Sequence, residues 1–352
     1  MMMSITRTAS VLACCVLAGV MQPAAAADFV DPLDAPSVPS ALAAGSLITG
    51  LSHAGERVVA VGQRGHVLVS GDGGKTWAQA QVPVKSDLVA VSFPTPLRGW
   101  AVGHDGVVLA TSDGGANWVR QFDGRSAAKV MADHYANGSA ELAQEAERFV
   151  AEGPDKPFLD VWFENETTGY IVGAFNLIFR TEDGGKTWVP WFDRTENPRR
   201  LHLHAVRGFG KDVFIVGEQG LVLKLDRDAG RFRAVQTPYN GSFFGITGKD
   251  KSLIVFGLRG NTYRSVDGGV HWAKIETNTG GAITAADVAP NGDIVLAGQD
   301  GTVFVSTDDG ASFSAVEVGP RLPTSALLVQ GRDDLILAGI RGLRVAPVKT
   351  AR

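Results

Sequence analysis

The sequence predicts an all-β chain folded as a seven-bladed β-propeller of four-stranded blades. Two observations carry the prediction. An acidic, glycine-rich turn closed by an aromatic recurs along the 352 residues. An apolar run ending in glycine precedes each copy and recurs seven times, mostly 40–44 residues apart, the period of a four-stranded blade. A third supports them: 43 glycines with scattered aromatics suit many short strands and tight turns better than long helices.

The turn copies are "SGDGGKTW" (70–77), "TSDGGANW" (111–118), "TEDGGKTW" (181–188), "SVDGGVHW" (265–272) and "STDDGASF" (306–313), with a worn copy "LDRDAGRF" at 225–232. Gly-Gly-Lys-Thr in two of them suggests a phosphate loop. Such a loop needs a glycine five residues before the glycine preceding the lysine, and those positions hold Val69 and Arg180. The lysine also changes from copy to copy, whereas the acid and the closing aromatic stay. The pairs Asp72 and Trp77, Asp113 and Trp118, Asp183 and Trp188, Asp267 and Trp272, and Asp308 and Phe313 are therefore structural. The carboxylate accepts N–H groups of its own turn, glycine supplies positive φ, and the ring covers the seam between strands.

The seven marks are "VVAVG" (58–62), "GWAVG" (99–103), "GYIVG" (169–173), "VFIVG" (213–217), "LIVFG" (253–257), "DIVLAG" (293–298) and "DLILAG" (334–339). Continuous apolar strands fit a blade buried on both faces between neighbours. The gap from Gly103 to Gly173 is longer by about 30 residues, as an insertion in one blade predicts. Residues 123–157 fill it with short helices: Leu142, Ala146, Phe149 and Val150 share a face, Ser139 caps, and Gly153-Pro154 stops. The last unit has three strands, and Phe29–Leu42 is expected to supply its missing outer strand despite Pro32, Pro36 and Pro39.

Residues 1–27 predict a secretory signal: Arg7, the apolar stretch Ala9–Met21, and small residues at Ala25 and Ala27. The mature chain, 28–352, is then a single propeller domain without cysteine, periplasmic or secreted. A lipid-attachment reading of "VLAC" at Cys14 leaves almost no apolar segment upstream. The net charge of −4 and the lack of a basic run argue against nucleic acid. No later segment is long and apolar enough to span a bilayer, so membrane contact is peripheral at most, and the chain is expected to be a monomer.

Function belongs on the rim. Turns between second and third strands carry Arg64, Asp105, Gln219, Arg259, Asp300 and Arg341. The helical insertion emerges on the same face. Arg64, Arg259 and Arg341 are candidate partner-binding residues for carboxylates; the plainer reading is that exposed turns favour charge. His202 and His204 share a strand face, read as hydrogen-bonded channel histidines rather than metal ligands. Asp160, Glu164 and Glu166 are read as turn and channel polarity rather than a catalytic pair. No metal or cofactor is expected.

The acidic turns, the seven marks and the leader together resemble the photosystem II stability/assembly factor family, a branch of the BNR-repeat (Asp-box) propellers, in its non-photosynthetic bacterial subgroup. The resemblance spans roughly 45–350. It implies a seven-bladed propeller that binds partner proteins during membrane-complex assembly without catalysis, with an arginine-bearing binding face. In the bacterial subgroup the partner is a membrane or envelope protein, with an RND-type exporter as one candidate. The alternative is a sialidase-like glycoside hydrolase, since those enzymes also carry Asp-boxes. Their Arg-Ile-Pro motif is missing, and Tyr135, Tyr170, Tyr239 and Tyr263 pair with no evident channel glutamate.

Overall fold

A computed structural model describes residues 29–331 and 334–348. The leader lies outside the described residues. Seven antiparallel sheets follow in chain order, six with four strands in the order 1-2-3-4. Blade one holds Ile48–Ala54, Arg57–Gly62, Val67–Ser70 and Ala78–Gln79. The first strands of blades two to seven are Leu88–Ser92, Phe158–Phe163, Leu203–Phe209, Phe243–Lys249, Ile283–Val288 and Thr324–Gln330. Each first strand lies beside the next, and the last lies beside that of blade one, so the ring is closed.

The glycine ending six of the seven apolar marks, all but Gly298, is steric in origin. Its φ is extended where given, −168° at Gly62 for example, so backbone freedom is not the reason. A Cβ at Gly62 would overlap the carbonyl oxygen of Leu47, and one at Gly103 that of Asp87. The second strand runs so close to the entry of the first that only glycine fits. A bulge lies near the start of every first strand. Thr49, Val89, Leu159, His204, Phe244, Thr284 and Ser325 are each skipped in the pairing register. All seven line one polar cavity of about 260 Å³ at the centre of the ring.

The seams between blades are apolar. Second strands such as Gly99–Gly103 and Gly169–Gly173 are buried at every residue. At the seam of blades two and three, Trp100 is 1 % exposed and stacks on Phe163 with centroids 3.5 Å apart. Burying such a ring contributes about 2–3 kcal/mol.

The acidic turns are built as their composition requires. Asp72 Oδ1 accepts from Thr76 N at 2.9 Å and Lys75 N at 3.1 Å, and Oδ2 accepts from the Thr76 hydroxyl at 2.6 Å. Gly73 and Gly74 have φ of 74° and 88°. Trp77 Nε1 donates to Gly74 O at 3.0 Å, and Trp118 repeats this on Gly115 O at 2.9 Å. Each aromatic covers the seam with the preceding blade; Trp118 packs with Val59 and Val61. Trp188 departs from the pattern, because its buried Nε1 has no acceptor. In the worn copy Asp226 accepts from Ala229 N at 3.0 Å, and Phe232 is fully buried.

Helix α1 (Gly124–Tyr135) is capped by Asp123, whose side chain accepts from Ser126 N at 2.9 Å. Helix α2 (Ala140–Glu152) is capped by Ser139 and ended by Gly153 at φ 85°. Ala146 and Phe149 are buried as expected, but Val150 is 53 % exposed. Its place on the inner face goes to Glu145, which is buried against Arg148 and Arg200. A third of a turn past Phe149, Val150 swings toward solvent.

The segment Phe29–Leu42 does not complete blade seven. From Asp31 it forms a strap over blades one and two. Leu33 is 1 % exposed among Val82, Val84 and Trp118. Ser37 N donates to Val82 O at 3.0 Å, and Lys85 N to Pro32 O at 2.7 Å. Asp31 and Asp34 pair with Arg125 at 2.6 and 3.0 Å. Its prolines set a turn at Pro32–Asp34 instead of a strand. The seam of blades seven and one is therefore closed by packing, with Val58, Leu328, Ile336 and Trp77 in contact.

Candidate partner-binding face

Antiparallel order puts the acidic turns on one face of the disc. The turns between second and third strands, and the links between blades, lie on the other. In five blades the latter turn has one conformation. Its central residue, Arg64, Asp105, Phe175, Gln219 or Arg259, lies at φ 54–57°. The next residue is also left-handed: Gly65, Gly106, Gly220 or Gly260, and Asn176 in blade three. A non-glycine there costs about 1 kcal/mol. Because Asp, Phe and Gln bear it as Arg does, this strain belongs to the turn and not to arginine.

The structure places Arg64, Arg259 and Arg341 on this face, on blades one, five and seven, all exposed. Arg341 and Arg64 stand on neighbouring blades; Arg259 is two blades from Arg341. None of the three takes part in an ion pair among the described residues. The aspartates on the same rim turn toward local donors. Asp105 Oδ2 accepts from the Ser86 hydroxyl at 2.6 Å, and Asp300 from Thr302 N at 2.9 Å and the Thr279 hydroxyl at 3.0 Å. Burial in part opposes these bonds, and the Asp300 carboxyl still ends below its ordinary range. Three cations thus stand beside acids that are already satisfied.

Sequence reasoning missed the apolar part of this rim. Leu258 and Ile340, each next to a rim arginine, are 40 % and 62 % exposed, and Phe175 is 46 % exposed. The signal lay in "GLRG" and "GIRG", where an aliphatic residue precedes the arginine at a turn tip. Exposed aliphatic and aromatic groups among arginines are the composition of a contact surface. The insertion emerges here too: Gly106 meets Gly124 so closely that a Cβ would come within 2.7 Å. Tyr135 Oη donates to Asp193 at 2.7 Å, and Arg200 to Glu145, fixing the helices to the next link.

The starts of the first strands lie toward the same face, and polar groups there join blade to blade. The Thr49 hydroxyl donates to Leu88 O at 2.6 Å and that of Thr284 to Thr324 O at 2.5 Å. His204 Nδ1 meets Phe243 O at 2.7 Å, and burial holds its pKa down. His202 Nδ1 instead accepts from Phe175 N at 2.9 Å. The two histidines therefore serve different partners: His204 lines the central cavity, and His202 bonds the rim turn of blade three.

Asp160 is buried, accepts from Val206 N at 2.8 Å and pairs with Arg207, a partner unnamed by the sequence reading. Burial pushes its carboxyl up, against the pull of Arg207. Glu164 pairs with Arg227 at 2.8 Å, and Glu166 accepts from the Thr95 hydroxyl at 2.8 Å. The three acids bond to three separate partners, Arg207, Arg227 and Thr95. The half-buried Asp287 accepts from Val329 N at 2.7 Å across the seam of blades six and seven.

The sequence model of a family described as photosynthesis system II assembly factor YCF48 matches residues 54–125 and 141–294. A curated relative, the photosystem II assembly lipoprotein Ycf48 of Synechococcus sp. (strain CC9902), is 26 % identical over 142 residues, 39 % of this chain. The chain spans 42 % of that relative's length. Two solved structures share the fold. YCF48 from Cyanidioschyzon merolae superposes with TM-score 0.63 at 17 % identity, covering 89 % of this chain and 98 % of its own. YCF48 bound to D1 peptide gives 0.62 at 16 %, covering 87 % and 95 %. The WD40 repeats of RRP9, at 9 % identity and TM-score 0.65, cover 86 % of this chain and 95 % of their own.

Proposed function

The chain belongs to the photosynthesis system II assembly factor YCF48 family, and from that premise we propose that it is a scaffold that binds a partner protein through its arginine-bearing face and aids assembly of a membrane complex. The observation that carries this reading is the rim: Arg64, Arg259 and Arg341 are exposed, without ion pairs among the described residues, beside exposed Leu258 and Ile340. Unpaired guanidinium groups on rigid turns are ready to take carboxylates in bidentate fashion with little reorganisation. The solved relative bound to D1 peptide supports a polypeptide as the ligand class.

In this reading residues 1–27 are removed on export, and 28–352 works as one propeller domain in the periplasm. The partner is an envelope membrane protein, with an RND-type exporter as the finer candidate. Work is done by binding and not by catalysis. Capture from detergent-solubilised envelope tests it. Wild-type chain is expected to retain a membrane protein, and the variant R64E/R259E/R341E is expected to lose most of it. Equal capture by both removes the arginine rim from the account.

A further inference from the structure

Blade seven is the one three-stranded sheet among the described residues. Its third strand, Gly342–Pro347, pairs on one side with Asp334–Gly339 and with no described strand on the other. Six residues present about 20 Å of edge, where the other blades carry fourth strands of two to five residues. The strap from Asp31 lies over blades one and two, and its continuation Ala43–Gly45 packs against Gly342 at the start of this strand without pairing as a fourth strand. Such an edge is a template for strand addition.

The edge has two chemically different sides. Leu343 and Val345 pack toward Val58 and Trp77 of blade one and stay half-buried. Arg344 lies toward blade six, where its Nη1 donates to Val318 O at 2.8 Å. Its Nη2 is buried with no acceptor. Beside it a cavity of about 90 Å³ is lined by Arg341, Arg344, Thr324 and Leu337, among others. A strand laid here would turn alternate side chains to an apolar wall and to an unsatisfied cation. At the two ends outside the described residues, 1–28 hold a single acid, Asp28, and 349–352 read Lys-Thr-Ala-Arg, so neither alternates apolar with acidic residues.

We propose that the open edge of blade seven takes up an extended segment of the partner protein as a fourth strand, its residues alternating apolar and acidic, with one carboxylate on Arg344. The idea rests on the partner-binding reading above but uses a backbone edge and Arg344 in place of the rim.

The test is hydrogen–deuterium exchange of the exported chain with two short synthetic peptides, one alternating valine with glutamate and one alternating valine with lysine. The glutamate peptide is expected to slow exchange in 342–347, and the lysine peptide is not. R344E should reverse that preference. If R344E does not fold, R344Q should weaken the glutamate peptide roughly tenfold, the loss of a charge-assisted bond. R64E/R259E should leave this binding unchanged, which separates failure of the rim from failure of the edge. No slowing at saturating peptide, equal slowing by both peptides, or edge amides already slow without peptide overturns the proposal.

Discussion

The two faces of the disc are made by the same repeat and use their polar groups in opposite ways. On one face each acid is consumed inside its own turn: Asp72 alone accepts from Thr76, Lys75 and Ser70. Side chains there are fixed by the turn, so the motif recurs with little change. On the other face only the backbone is fixed. In five blades the turn needs a left-handed pair of residues, and it leaves the identity of the central side chain open. Blade by blade that position holds Arg, Asp, Phe, Gln, Arg, Asp and Arg. Repetition in sequence thus marks what holds the ring together, and variation marks what is free to meet a partner.

The comparison breaks most readily at the seam-covering aromatics. Trp118 is 5 % exposed and bonded to Gly115 O. Trp118→Ala should cost about 3–5 kcal/mol in urea unfolding, and a cost below about 1 kcal/mol would show that the acidic turns do not hold the seam. The acid itself is worth less. Asp113→Ala strands the N–H groups of Ala116 and Asn117 and should cost roughly 1–2 kcal/mol by the same measurement, the cost of losing a cap.

Acid titration sharpens the same face. Bonds from the Thr76 hydroxyl and N–H hold Asp72 at about 2, below its ordinary 3.8, and Asp308 is likewise held at about 2 by Ser312. A depressed carboxylate stabilises fully above its unfolded value and loses that contribution as pH falls through the folded one. Wild type should therefore weaken relative to Asp72→Asn between about pH 4 and pH 2. A constant difference across that window would show that the bonds do not favour the charged form. On the rim the effect on stability should be the smallest: R64E/R259E/R341E should change the unfolding free energy in urea by no more than about 0.5 kcal/mol.

Much of the ring was legible because its determinants are local. The acid, glycines and aromatic of a turn lie within eight residues, and each apolar mark within six. Helix α2 was legible for the same reason, through Ser139 and Gly153. What stayed hidden is non-local. Asp160 finds Arg207, 47 positions on, because the bulge and the ring bring first strands together. The strap was misplaced because an incomplete last blade suggests its own completion. Leu33 finds a better burial between blades one and two, where Arg120 and Arg125 also await its aspartates. At the rim the arginines could be named, but their lack of ion pairs depended on Asp105 and Asp300 turning inward.

The central claim is that one face binds and the other holds. Its most direct measurement compares two charge reversals of one kind on opposite faces: Arg64→Glu with Arg259→Glu on the rim, and Lys75→Glu with Lys186→Glu, both exposed, in the acidic turns. Capture of the envelope partner is expected to fall at least tenfold for the first pair and to stay near wild type for the second, with both variants unfolding at the wild-type urea midpoint. Loss of capture by the turn-face pair with the rim pair intact would contradict the account.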